Sequence, residues 1–259
     1  SEVNTHARSV PNESRYSSKR PAPPPLAGSG QGGHNDPVQG RTAWPELGMT
    51  MHLHRHDGSR ANLENLSRAE CAERTAAATA THYTVQLDLT DVATSDTFAS
   101  TTTFNFTAEE GASTWVDLIA PEILSVTLNG RPVDTTEYDG ARIKLNNLAE
   151  ENLLIVVARC EYSRTGEGLH KFTDPADNEI YLYSQFEIAD ARRVFACFDQ
   201  PDQKATYDFI VDAIPGWKVF SNTFAEVTEI GPNKRHTFAR TEKMSTYITA
   251  FVAGNYLSL

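Results

Sequence analysis

The sequence predicts a mainly β protein: antiparallel sheets in a saddle-like or sandwich-like domain, with one N-terminal helix and a disordered tail. Short runs rich in Val, Ile, Thr, Tyr and Phe alternate apolar with polar residues, the period of a half-buried strand. These runs recur every ~8–12 residues with Gly, Pro and Asn between them, the rhythm of antiparallel architecture. A single segment near residue 70 joins a helix-start signal to an alanine-rich run.

Residues 1–61 are rich in Pro, Gly, Ser, Arg and His and show neither hydrophobic period. They cannot bury enough apolar surface to offset the entropy of ordering, so disorder is expected. His52, His54 and His56 alternate in MHLHRHDG and would suit a metal only if that stretch were extended. GSGQGG neither follows a strand nor opens a helix, which excludes a phosphate cradle. Residues 62–81 read as the helix. Ser67 and Glu70 form an S-x-x-E capping box, and an Ala-rich stretch follows until threonines favour a strand.

Residues 82–259 read as the β-rich domain. Tyr83, Val85, Leu87 and Leu89 share one face, as do Phe98, Thr102, Phe104 and Phe106. Asn129-Gly130 supplies the positive φ angles of a tight hairpin. NLLIVVARCEY, apolar from Leu153 to Ala158, predicts a strand covered on both faces. TGEGLH reads as a tight turn, with His170 as a loop histidine. Ala205, Tyr207, Phe209, Val211 and Ala213 alternate, and further strands are expected over residues 224–230, 236–241 and 246–252.

Residues 180–201, IYLYSQFEIADARRVFACFDQP, organise the domain. Ile180, Leu182, Ser184, Phe186 and Ile188 fall on one side of a strand, and Tyr181, Tyr183, Gln185 and Glu187 on the other. A carboxylate and a carboxamide two residues apart can together accept hydrogen bonds from a primary ammonium. The two tyrosines either line such a site or pack on the sheet face. Residues 189–198 read as a short helical turn stopped by Pro201, in which Arg192 and Asp190 are structural.

SQFE, then ADAR, then FDQPD resembles the N-terminal domain of the zinc aminopeptidase family typified by aminopeptidase N, the gluzincin metalloaminopeptidases. TGEGLHKF, STYITAFVAGNY and ENLSRAECAERTAAA extend the likeness over residues 62–259, the last resembling the actinobacterial branch. The resemblance implies that Glu187, with Gln185 beside it, holds the α-ammonium of a peptide N-terminus. It also implies that zinc and the general base come from a C-terminal catalytic domain. Gln200 stands where many members have Glu, which questions a charge-based role there.

No His is followed by Glu, so the H-E-x-x-H zinc motif does not occur, nor does Gly-Ala-Met-Glu-Asn. No catalytic residue and no metal ligand is therefore expected in this chain. It is expected to be a truncated, substrate-anchoring piece, inactive alone. One rival is a non-catalytic binding or scaffold module, since relatives of this fold occur in a transcription-factor subunit. The epoxide-hydrolysing branch resembles Gln-x-Gln, and Glu187 is acidic.

A formal charge of −11 over 259 residues, with no basic stripe, argues against nucleic acid. Three widely spaced cysteines, Cys71, Cys160 and Cys197, point to a reducing compartment, and Cys197 reads as a buried inert thiol. With no membrane-length apolar run and no leader pattern, the expectation is a soluble cytoplasmic protein that binds no membrane.

Overall fold

The computed structural model describes residues 66–256. The predicted tail with His52, His54 and His56, and residues 62–65 of the predicted helix, lie outside the described residues. Helix α1 (Arg68–Ala77) begins where the capping box places it. The Ser67 hydroxyl accepts from the Glu70 N–H at 3.2 Å, and Glu70 Oε2 accepts from the Ser67 N–H at 2.7 Å. Arg142 Nη1 donates to Glu70 Oε1 at 2.7 Å. That bond, with the cap, holds the Glu70 carboxyl down at about 2.

The helix ends earlier than its alanines suggest. Strand β1 (Ala78–Asp88) starts at Ala78, whose ladder to β2 (Thr97–Ala108) runs from Ala78 opposite Ala108 to Asp88 opposite Ala99. Helix propensity is a weak prior beside a sheet partner that also buries Ala78 and Ala80.

Strands β3 (Thr114–Asp117) and β6 (Arg142–Leu145) pair as a small antiparallel ribbon. Strands β4 (Glu122–Leu128) and β5 (Arg131–Pro132) form the predicted hairpin, with Asn129 at φ 53° and Gly130 at φ 76°. Strand β7 (Glu151–Glu161) corrects the two-sided reading. Leu154, Val156, Ala158 and Cys160 are buried, but Leu153 is 40% exposed and Ile155 and Val157 are half-buried. One face alone is covered, so its apolar run is that of a half-solvated strand.

The remaining strands are β8 (Gly168–Thr173), β9 (Ile180–Gln185), β10 (Thr206–Ala213), β11 (Lys218–Phe220), β12 (Ala225–Ile230), β13 (Asn233–Phe238) and β14 (Val252–Gly254). An eight-stranded sheet runs β12-β13-β10-β1-β2-β7-β4-β5, antiparallel except where β1 and β10 lie parallel. A four-stranded antiparallel sheet runs β11-β14-β9-β8. The segment predicted as a strand over 246–252 instead forms a 3-10 turn, Thr246–Ile248, before β14. Its hydroxyls explain this: Ser245 and Thr249 donate to the backbone carbonyls of Pro201 and Thr246, at 2.5 and 2.7 Å, and Thr246 to the Asp199 carboxylate. Such bonds compete with a ladder.

Register fixes the core. Phe104, Tyr83 and Tyr207 sit opposite one another on β2, β1 and β10, and their rings stack at 4.1 and 5.1 Å between centroids. Residues 194–198 lie against that row, all 1% exposed or less. The Phe198 N–H donates to the Tyr83 hydroxyl at 3.1 Å, and the Ala196 N–H to Thr102 Oγ1 at 3.1 Å. Among the described residues no helix is long and apolar enough to cross a membrane.

Candidate functional site: an exposed turn on a buried joint

Strand β9 is held on both edges. Its residues 180–185 pair with Thr173 to Gly168 of β8, and residues 181–183 pair with Gly254 to Val252 of β14. Ser184 adds a clamp, its N–H donating to the Phe251 carbonyl at 2.8 Å and its Oγ accepting the Phe251 N–H at 2.7 Å. Gly254 permits the close approach: a Cβ there would sit 2.6 Å from the Tyr181 ring and 3.1 Å from that of Tyr256.

The alternation predicted for this stretch holds to Glu187 and then stops. Leu182 and Phe186 are buried, while Tyr183, Gln185 and Glu187 are exposed. Ile188, expected on the inner side, is 59% exposed because the strand has already ended at Gln185. Phe186 anchors the turn in the core, its ring edge-on to Phe195 and Phe251.

Gln185 and Glu187 are thus brought together on the surface, but not as two parallel acceptors. Gln185 Oε1 accepts the Glu187 N–H at 2.6 Å, and Gln185 Nε2 approaches the Glu187 carbonyl at 3.4 Å. The amide closes a local ring around the turn, which leaves the Glu187 carboxylate as the outward acceptor and Gln185 as its brace. Tyr181 is committed to the sheet: its hydroxyl donates to Asp177 Oδ2 at 2.8 Å and its ring meets Tyr256 edge-on at 5.0 Å. Tyr183 is 41% exposed, with the His170 ring 4.8 Å away. His170 stands on β8, not in a loop.

Behind the turn lies the Ala-Asp-Ala-Arg segment, whose 3-10 turn is Ala191–Arg193. The ion pair there joins Asp190 to Arg193 at 2.6 Å. Arg192 is structural in another way: its Nε donates to the Ala189 carbonyl at 2.9 Å, and its backbone N–H to Asp199 Oδ2 at 3.0 Å.

The Phe-Asp-Gln-Pro motif forms a buried joint. Asp117 and Arg74 are both fully buried and pair at 2.6 Å. Asp117 also accepts from Trp115 Nε1 at 3.1 Å and from the Asp199 N–H at 2.9 Å. The Arg74 guanidinium lies 5.0 Å above the Trp115 ring and 5.1 Å from that of Phe198, a cation–π cradle. Burial pushes the Asp199 carboxyl up to about 6, against the hydrogen bonds from Thr246 and the Arg192 N–H.

Gln200 completes the joint. Its Oε1 accepts from Arg74 Nε at 3.1 Å, while its Nε2 donates to the Cys71 carbonyl and to Thr75 Oγ1 at 3.0 and 2.8 Å. An amide serves both partners, which accounts for Gln here without any charge. The pairing of Arg74 with Asp117 escaped the sequence reading because it spans 43 positions, a distance over which no local pattern reaches.

Cys197 is completely buried, its thiol pushed well up by loss of solvation, and all three cysteines are unbridged. Among the described residues no three His, Cys, Asp or Glu side chains are placed to hold a metal ion. The described residues therefore do not fit a zinc centre.

Comparison with known proteins agrees with this arrangement. Residues 79–248 match the model of the Peptidase M1 N-terminal domain. The chain is 46% identical over 198 residues to aminopeptidase N of Streptomyces lividans, covering 75% of this chain and 23% of that protein. It is 45% identical over 97 residues to probable M1 family aminopeptidase 1 of Encephalitozoon cuniculi, covering 36% of this chain and 11% of the relative. The crystal structure of an M1 zinc metallopeptidase from Deinococcus radiodurans, an E323A mutant, superposes with a TM-score of 0.58 at 18% identity, over 69% of this chain and 42% of that one. The chain thus spans a minor part of each of these relatives. With two thirds of its residues inside that domain model and its FDQP joint and β9 turn in place, it belongs to the Peptidase M1 N-terminal domain family.

Proposed function

We propose that this chain is the substrate-anchoring domain of a zinc metalloaminopeptidase, and that the Glu187 carboxylate accepts the α-ammonium of a peptide N-terminus. The observation that supports this is an exposed carboxylate on a rigid mount. Glu187 projects from a turn braced by Gln185, anchored by buried Phe186 and continuous with the clamped strand β9. A preorganised acceptor loses little on binding, and a fixed partner for the amine also sets where the first peptide bond lies. The relatives' names make them aminopeptidases, whose substrates carry that amine.

Hydrolysis is assigned in this proposal to a separate catalytic domain, since the described residues supply no zinc ligand set. The chain alone, given zinc and aminoacyl reporters, is expected to show no turnover. In an enzyme reassembled with a catalytic domain, Glu187→Gln is expected to raise KM about thirtyfold or more, the low end of the ~2–5 kcal/mol lost when one of two buried charged partners is removed. Zinc content should not change. An unaltered KM would remove Glu187 from the site and favour a scaffold role for the fold.

A further inference from the structure

Arg192 is a nearly buried cation whose outer end has no partner. The residue is 4% exposed. Its backbone is fully engaged: the N–H donates to Asp199 Oδ2 at 3.0 Å, and the carbonyl accepts the Ile119 N–H at 2.7 Å. Its Nε donates to the Ala189 carbonyl at 2.9 Å, which fixes the guanidinium against a residue two positions past Glu187. The terminal nitrogens Nη1 and Nη2 have no hydrogen-bond or ion-pair partner among the described residues. Neither is sealed off as Arg74 Nη2 is, so both keep contact with solvent.

Arginine is almost never this buried without a paired carboxylate. The acidic groups near Arg192 are committed elsewhere. Asp190 pairs with Arg193 and Asp117 with Arg74, each at 2.6 Å. Asp199 accepts from the Arg192 backbone and, at 2.7 Å, from the Thr246 hydroxyl, and makes no ion pair with the guanidinium. Burial raises the Asp199 carboxyl to about 6, which the Arg192 charge offsets only in part, so it is a poor counter-ion. Water can satisfy two N–H groups at the rim, but it does not neutralise a cation held in so little solvent. The missing charge therefore comes from outside the described residues.

Shape and charge narrow its class. A guanidinium fixed through Nε offers Nη1 and Nη2 as a planar pair of donors, which matches the two oxygens of a carboxylate. Phosphate has the same match, but a chain of formal charge −11 repels a dianion more than a monoanion. Glu187 is exposed five residues earlier, with the opposite sign. A short peptide, with an ammonium at one end and a carboxylate at the other, would satisfy both.

We propose that Arg192 is a carboxylate-binding site behind the Glu187 turn. Its carboxylate is the free end of a short peptide whose ammonium is held at Glu187, which rests on the reading above, or an acidic side chain of the companion catalytic domain. The test follows the Arg192 Nε–Hε resonance of the full chain by NMR during titration with acetate, chloride, inorganic phosphate, tri-alanine, tri-alanine amide and N-acetyl-tri-alanine. Acetate is expected to move it saturably, and chloride at equal ionic strength is not. Tri-alanine should bind at least fivefold tighter than its amide; equal affinity for the two assigns the carboxylate to the companion domain. Equal affinity for tri-alanine and its N-acetyl form would remove Glu187 from the site and leave Arg192 in it. Arg192→Lys keeps the charge without the planar fork and should weaken acetate binding fivefold or more. Circular dichroism checks its fold, and if it is unfolded the shift in the unaltered chain decides. No saturable shift with acetate, the same shift with chloride, or tighter binding of phosphate than of acetate would each overturn the proposal.

Discussion

Two charged regions of this domain lie within a dozen residues of each other and obey opposite rules. At the FDQP joint, Arg74, Asp117, Asp199 and Gln200 are all nearly or fully buried and are linked by hydrogen bonds to one another or to the backbone. At the β9 turn, Glu187 is exposed, and only its backbone is engaged, by Gln185. An orphaned buried polar group is costly, and the joint pairs all of its described side-chain polar atoms but Arg74 Nη2, whereas an exposed carboxylate keeps its hydrogen-bonding capacity. The family motif therefore divides into a part that holds the domain together and a part left exposed on its surface.

Several substitutions would break or sharpen that contrast. Asp117→Ala should have the largest effect: it strands the Arg74 charge in the core and is expected to cost about 3–5 kcal/mol in a denaturant titration. Gln200→Leu removes the acceptor of Arg74 Nε and two donors to the helix, and should cost about 1–3 kcal/mol by the same measurement. If Gln200→Leu were neutral, the joint would not be the fastening described above.

The pH dependence separates two carboxyls of opposite sign. Glu70 is held at about 2, below its ordinary value, so its stabilisation is full above about pH 4.5 and disappears as pH falls toward 2. Asp199 is raised to about 6, so its charged form is disfavoured in the folded state. The resulting penalty is full above that pH and is relieved as pH falls toward 4. Melting temperature measured from pH 7 to 3 should show a rise that Asp199→Asn flattens, then a fall that Glu70→Gln lessens. The smallest effect belongs to the exposed turn, where Gln185→Ala should leave stability within ~0.5 kcal/mol. A loss as large as that of Gln200→Leu would make Gln185 part of the fold and erase the contrast.

Most of the strands could be read from the sequence because a period of two needs no partner to be visible. Tyr83 to Leu89, Phe98 to Phe106 and Ala205 to Ala213 bury the sides their spacing indicates. The capping box at Ser67 and Glu70 and the Asn129-Gly130 turn were equally local signals. What escaped was decided at a distance. Ala78 and Ala80 left the helix because β2 offers them a ladder, and residues 246–249 turned because hydroxyls claimed their neighbours' carbonyls and Asp199. At the candidate site, the face shared by Gln185 and Glu187 was legible. That Gln185 bonds back onto the Glu187 backbone was not, since alternation describes side-chain direction and says nothing of how an amide folds over.

One missing methyl group has reach beyond its own position. Because Gly254 has no Cβ, the rings of Tyr181 and Tyr256 can settle against its backbone. Any larger residue would bring a Cβ to 2.6 Å from the Tyr181 ring, so the ring or the strand must give way. The seat of Tyr181 on β9, four residues before Gln185, thus depends on a methyl left out about seventy residues further along the chain.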